Sequence, residues 1–202
     1  MAISPSNERA SWTRLLAALA QAFDEEGRPG GNLAAHRLRQ AIDRPRRTLP
    51  SPSPPNQLLA TACHHPEALP IAASVLACSE WIAWQHWASD KLASAVSSCL
   101  YTAELIGPDG HVTDDAVRVG LLLSDRATDY PISRHAGEET YLVISGVADW
   151  SVDGADYRPH PPGAFIHHPS WAPHGRRTLD EPFLGAWRWS GDLDLSTFSI
   201  DP

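Results

Sequence analysis

The chain has 202 residues, 43% of them hydrophobic, and a formal charge of −8 from 24 acidic and 16 basic side chains. That length is enough to bury a core without outside staples, so one barrel with an accessory segment fits better than two independent domains. The acidic balance, with no concentrated Lys/Arg face, excludes nucleic acid and an anionic membrane as partners and leaves a small molecule as the expected ligand.

The elements divide into a helical half, residues 1–95, and a strand half, residues 96–202. The segment Met1 to Arg9 carries no apolar leader, and no later stretch is long and uncharged enough to span a bilayer, so a cytoplasmic protein is expected. Trp12, Leu15, Leu16, Leu19 and Phe23 recur at three- and four-residue steps, which predicts an amphipathic helix from Ser11, as N-cap, to about Ala22, ended by Gly27. A second short helix is expected from Leu33 to Ile42. Pro45, Pro50, Pro52, Pro54 and Pro55 then make an extended connector. Helical composition returns from Asn56 to about Ser89, broken near Pro66 and Pro70; Trp81, Trp84 and Trp87 have helical spacing and are expected to pack this segment on the barrel. An apolar surface on this half would suit a homodimer. Cys63, Cys78 and Cys99 are odd in number and lack any CxxC pattern, so they read as buried small hydrophobes rather than as disulfides or thiolate ligands.

From Ser97 onward the texture changes. Ser98 to Ile106 and Val117 to Ser124 are β-compatible runs around a strong turn signal, Gly107-Pro108-Asp109-Gly110. Further turns fall at Ala136-Gly137, Val152-Asp153-Gly154 and Pro161-Pro162-Gly163. Short strands without intervening helices predict an antiparallel barrel or sandwich.

His135, Glu139 and His174 carry most of the chemical information. Two neutral imidazoles and one carboxylate suit one divalent transition metal and leave coordination positions open for water or substrate. Iron, zinc, manganese, cobalt and nickel all accept this donor set. If Asp129 to His135 and Glu139 to Ser145 are adjacent strands joined at Ala136-Gly137-Glu138, period-two alternation sets Ser133 and His135 on one face and Glu139 and Tyr141 on the other strand's matching face. Tyr141 then stands about 7 Å from Glu139 along the strand, in reach of a bound water or substrate. Of the adjacent pair His167 and His168, at most one can look inward, and both read as supporting residues. Glu138 is expected to face solvent. His64, His65 and His86 have no partners at metal spacing.

These residues resemble the two cupin motifs. The first is matched by Ser133-Arg134-His135, Glu139 and Gly146, with Ser133 where many cupins place a metal histidine. The second is matched by Gly163, Pro169, Trp171 and His174, with Trp171 where glycine is usual. A more specific resemblance is to the cupin-type dimethylsulfoniopropionate lyases. It rests on Tyr130-Pro131, His135, the run Glu138-Glu139-Thr140-Tyr141, Gly146, Trp150, the segment Pro162 to Pro169, His174, and the late Trp187, Trp189, Gly191 and Asp192. The resemblance implies a mainly β fold, a double-stranded β-helix or jelly-roll barrel with an α-helical N-terminal segment. It also implies a metal on His135, Glu139 and His174, and roles in catalysis and substrate handling for Tyr141 and Tyr130. The implied reaction is β-elimination of dimethyl sulfide to leave acrylate. A sulfonium has no hydrogen-bond donor, so an aromatic wall is the natural way to hold it; Trp171, Trp187, Trp189 and Tyr130 are available, with Ser133 at the pocket's edge. Two other readings remain open on the same scaffold: a non-haem iron oxygenase or a lyase for another small carboxylate, and a cupin that binds a small molecule without turnover.

Overall fold

The computed structural model describes residues 5–51, 55–87 and 92–200. Helix α1, Pro5–Glu25, lies against α2, Pro29–Ala41, and the two are followed by α3, Asn56–Cys63, α4, Ile71–Ala77, and the single turn α5, Ser94–Ser97. The predicted apolar stripe of α1 is its core face: Trp12, Leu15, Leu16, Leu19 and Phe23 are all buried. The helix begins six residues before the expected N-cap. Ser11 lies inside it, and its hydroxyl accepts from Arg14 Nη2 at 2.9 Å. Gly27 does end the helix, at φ +73°, a left-handed conformation that glycine adopts without steric cost.

The strand half holds two antiparallel sheets. One contains β1, Gln85–His86; β2, Leu100–Ile106; β3, Arg118–Ser124; β10, Phe183–Ser190; β5, Glu138–Ser145; and β8, Phe165–His168, in that spatial order. The other contains β11, Ser199–Ile200; β4, Asp129–Arg134; β9, His174–Thr178; β6, Ala148–Val152; and β7, Arg158–His160. From β3 onward the chain crosses repeatedly between the two sheets, with only β6 and β7 consecutive in one of them, as in the cupin jelly roll.

Two expectations are corrected here. β4 and β5 are not a hairpin: β4 pairs with β9 and β11, while β5 pairs with β10 and β8. The turn at Ala136-Gly137 carries the chain from one sheet to the other, so His135 and Glu139 meet across the barrel interior. The tryptophans of the 81–87 region do not ride a helix either. After α4 the chain turns into the edge strand β1, with Trp84 buried in the core and Trp87 against the barrel cavity. Pro52, Pro54 and Ser89 lie outside the described residues.

Helices and barrel share one apolar core, which runs from Leu15, Leu19 and Phe23 through Leu59 and Val75 to Leu121, Leu123, Ile144 and Leu184. Polar ties fix its edge. Leu69 N–H donates to Ile144 C=O at 2.9 Å, and Ser145 Oγ donates to Ala62 C=O at 2.5 Å. Arg188 on β10 is fully buried and forms a bidentate pair with Glu26 at the end of α1, Nη2–Oε1 at 2.5 Å and Nε–Oε2 at 3.1 Å. Its Nη1 also meets Glu138 at 2.8 Å, so Glu138 is a half-exposed strand residue paired with Arg188 rather than a free solvent-facing acid. No described helix is long and apolar enough to cross a membrane.

Candidate active site

Each donor of the predicted triad reaches the barrel interior from a different piece of chain. His135 follows the end of β4, Glu139 is the second residue of β5, and His174 opens β9. All three are buried, and one ligand atom from each lies within 4.8 Å of the others. His135 Nε2 stands 3.3 Å, and His174 Nε2 3.8 Å, from Glu139 Oε2.

Backbone carbonyls fix the ring tautomers. His135 Nδ1 lies 2.9 Å from Gly137 C=O, and His174 Nδ1 2.9 Å from Ala172 C=O. A carbonyl only accepts, so both Nδ1 atoms carry the proton and both Nε2 atoms offer lone pairs toward the carboxylate. Three acceptors that face one another without a hydrogen between them call for a cation, and this donor set fits a divalent metal.

The electrostatics agree. Burial, with the neighbouring His168 ring adding to it, pushes His174 down to about 3, so that ring stays neutral and free to ligate. Burial works against the Glu139 carboxylate, but the neighbouring imidazoles of His135 and His168 outweigh it and hold Glu139 well below its ordinary value.

His168 is the inward member of its pair and is fully buried, while His167 turns outward to Thr140 at 3.1 Å. Its Nδ1 donates to Glu139 Oε2 at 3.2 Å, and its ring stacks on His174 with centroids 3.9 Å apart. His168 therefore aims the carboxylate. Its own Nε2 is buried without a partner. On the other side, His135 stacks on Trp189 at 3.9 Å.

These groups open on a cavity of about 310 Å³, the size of a small-molecule site. Its wall includes Tyr130, Tyr141, Trp187 and Trp189 from the predicted set. Trp87, Trp150, Arg176 and Phe198 also line it, and sequence reasoning gave none of them a place there. For Arg176 the signal was present: it stands two residues past His174 on β9, and alternation sets both on one face; Trp150 reaches the wall because β6 pairs with β9. Phe198 follows the last 3-10 turn, with no periodicity to mark it.

Two predicted pocket residues lie elsewhere. Trp171 is 51% exposed and outside the wall, because it occupies a left-handed turn, φ +62°, that swings its side chain out of the barrel. Ser133 is fully buried and is not among the residues of the cavity wall.

Both phenols are held neutral by the protein alone. Burial pushes Tyr130 up to about 12. Burial and then the Glu139 charge push Tyr141 well above its ordinary value, with Arg176 opposing.

Comparison with known proteins agrees with this architecture. The family model for dimethylsulfoniopropionate lyase matches residues 7–185. Dimethylsulfoniopropionate lyase DddQ of Ruegeria pomeroyi is 34% identical over 92 residues, 46% of each chain, so the match spans about half the length of that curated relative. The crystal structure of DddQ from Ruegeria pomeroyi DSS-3 superposes with a TM-score of 0.73 at 25% identity, covering 95% of this chain and 96% of that one. A chain from the crystal structures of the lyases RdDddP and RnDddQII gives a TM-score of 0.70 at 25% identity, over 96% of this chain and 100% of that one. With a matching fold and a family model that spans most of its length, the chain belongs to the dimethylsulfoniopropionate lyase family.

Proposed function

We propose that this protein is a metal-dependent carbon–sulfur lyase that converts dimethylsulfoniopropionate to acrylate and dimethyl sulfide. One observation carries the reading: in a chain of this family, three buried acceptors, His135 Nε2, Glu139 Oε2 and His174 Nε2, converge on an aromatic cavity whose wall carries two half-buried phenols, Tyr130 and Tyr141. When bound there, a divalent ion of iron, zinc, manganese, cobalt or nickel supplies Lewis-acid neutralisation of the substrate carboxylate, which makes the adjacent α hydrogen more acidic.

The chain's own residues do the rest. Tyr141 takes the α proton on its phenolic oxygen, the Cα–H pair becomes the new C=C bond, and the Cβ–S pair departs on sulfur as neutral dimethyl sulfide. The zwitterionic substrate thus yields an acrylate anion, dimethyl sulfide and one proton. Tyr141 must reach its phenolate form to act, and Arg176 is the nearby charge of the protein that favours this form. Tyr130 bounds the pocket beside it and shapes the space for substrate. The ring faces of Trp187 and Trp189 offer the sulfonium a wall that needs no hydrogen-bond donor.

Headspace chromatography over metal-loaded protein and dimethylsulfoniopropionate tests this. Dimethyl sulfide is expected from the native chain, equally under argon because elimination needs no oxidant, and is expected to vanish in His174→Ala. Absence of the gas with all five metals would overturn the reading.

A further inference from the structure

Arg176 is a charged group of the cavity wall whose part in the proposed reaction is confined to its effect on the neighbouring Tyr141 phenol. Arg176, the third residue of β9, is only 3% exposed. In register it lies between Tyr130 on β4 and Trp150 on β6. Its guanidinium carbon sits 5.4 Å from the ring of Tyr130, 6.0 Å from Tyr141, 5.1 Å from Trp150 and 5.4 Å from Phe183. Aromatic faces attract a cation, but they do not replace the water it has lost. Among the described residues its buried Nη2 has no hydrogen-bond partner. Among the described residues no carboxylate lies within ion-pair distance of it; its hydrogen-bonding neighbour is the neutral Tyr141 phenol.

The acids of the wall are already engaged. Glu104 and Asp109 both meet Arg118 Nη1, at 2.7 and 2.8 Å. Glu139 is shared by three imidazoles. Among the residues lining the cavity, Arg176 is the one with a permanent positive charge. A buried, uncompensated cation on the wall of a small-molecule cavity is a preformed site for an anion, and a guanidinium fork matches a carboxylate.

We propose that Arg176 is a carboxylate-recognising residue of this cavity, pairing with one oxygen face of the carboxylate that the ion of the proposed lyase would neutralise, in a small aliphatic acid of the acrylate and propionate class. The choice of that class rests on the lyase reading, whereas the anion site rests on Arg176 and its surroundings alone. In that reading the arginine orients the acid, setting its α carbon beside the Tyr141 phenol, and it selects against ligands that carry only the cationic end.

The test uses chelator-treated protein, with binding followed by tryptophan fluorescence and calorimetry. Acrylate and propionate are the carboxylate probes, and trimethylsulfonium is the probe that lacks a carboxylate. Arg176→Gln is expected to weaken acrylate about 10- to 100-fold and to leave trimethylsulfonium unchanged or tighter. Arg176→Lys keeps the charge but not the fork, so it is expected to fall between, and it stands in if the glutamine variant fails to fold. Acrylate affinity within twofold of native in a folded variant, or no acrylate binding by the native metal-free chain, would overturn the proposal. Lack of dimethyl sulfide from the native holoenzyme would sink the lyase reading instead and leave acrylate binding in place.

Discussion

Glu139 is the residue on which the site turns, because three imidazoles address one of its carboxylate oxygens. Tyr141 stands two positions along the same strand, so the proposed base and a metal donor share one rigid support. Tyr141→Phe removes the proton acceptor together with the hydroxyl beside Arg176; kcat is expected to drop by roughly 10²- to 10⁴-fold with metal content unchanged. Turnover near the native rate would assign the proton to another group. Acid supplies a second test. The His174 ring is held neutral down to about 3, whereas in the unfolded chain it protonates below about 6.5. Between those values the unfolded state binds more protons, so its contribution to the metal-free protein's stability is intact above about pH 6.5 and declines as pH falls toward 3. His168 is lowered as well and acts with the same sign. Urea midpoints measured from pH 8 to 4 should therefore fall, and fall less steeply in His174→Gln. Equal slopes would contradict the burial argument.

At the scale of elements, what could be read from the chain depended on whether local pattern or distant pairing was involved. The stripe of Trp12, Leu15, Leu16, Leu19 and Phe23 marks the buried face of α1 because helical spacing is a local property. His135, Glu139 and His174 likewise stand at interior positions that strand alternation could place. Alternation does not name a strand's partner, however, and so β4 and β5 looked like a hairpin when they belong to opposite sheets. The same gap hid the neighbours of Arg176, which depend on β9 lying between β4 and β6, although alternation from His174 sets its side chain on the donor face. The outward swing of Trp171 depends on a left-handed turn that its identity does not announce. Long-range ties were equally silent. The Glu26–Arg188 pair joins the helical segment to β10 and is almost wholly buried. Breaking one side of such a pair typically costs about 3–5 kcal/mol, moderated here by Glu138, which still meets Arg188. Glu26→Ala is thus expected to lower the melting temperature markedly, and an unchanged melt would show that the helices hold to the barrel by apolar contact alone. Gly120 makes a finer test, since a Cβ there would meet the Trp187 ring and the Ala103 carbonyl. Gly120→Ala should shift Trp187 toward the cavity and raise KM more than it lowers kcat; unchanged kinetics would remove Trp187 from the substrate wall.

For the molecule as a whole, the helices and the barrel share one apolar core, with the candidate metal donors drawn from both sheets. A ligand that binds only the folded state stabilises it by mass action, about 2.7 kcal/mol at a hundredfold excess over Kd. The metal-loaded protein should accordingly melt above the chelated one. The direct test of the central claim, that His135, Glu139 and His174 converge on one cation, is elemental analysis after loading with a divalent transition metal and exhaustive dialysis. One ion retained per native chain, and none in the folded His135→Ala and Glu139→Ala variants, is the predicted result. A native chain that retains no ion, or variants that retain a full one, would contradict it.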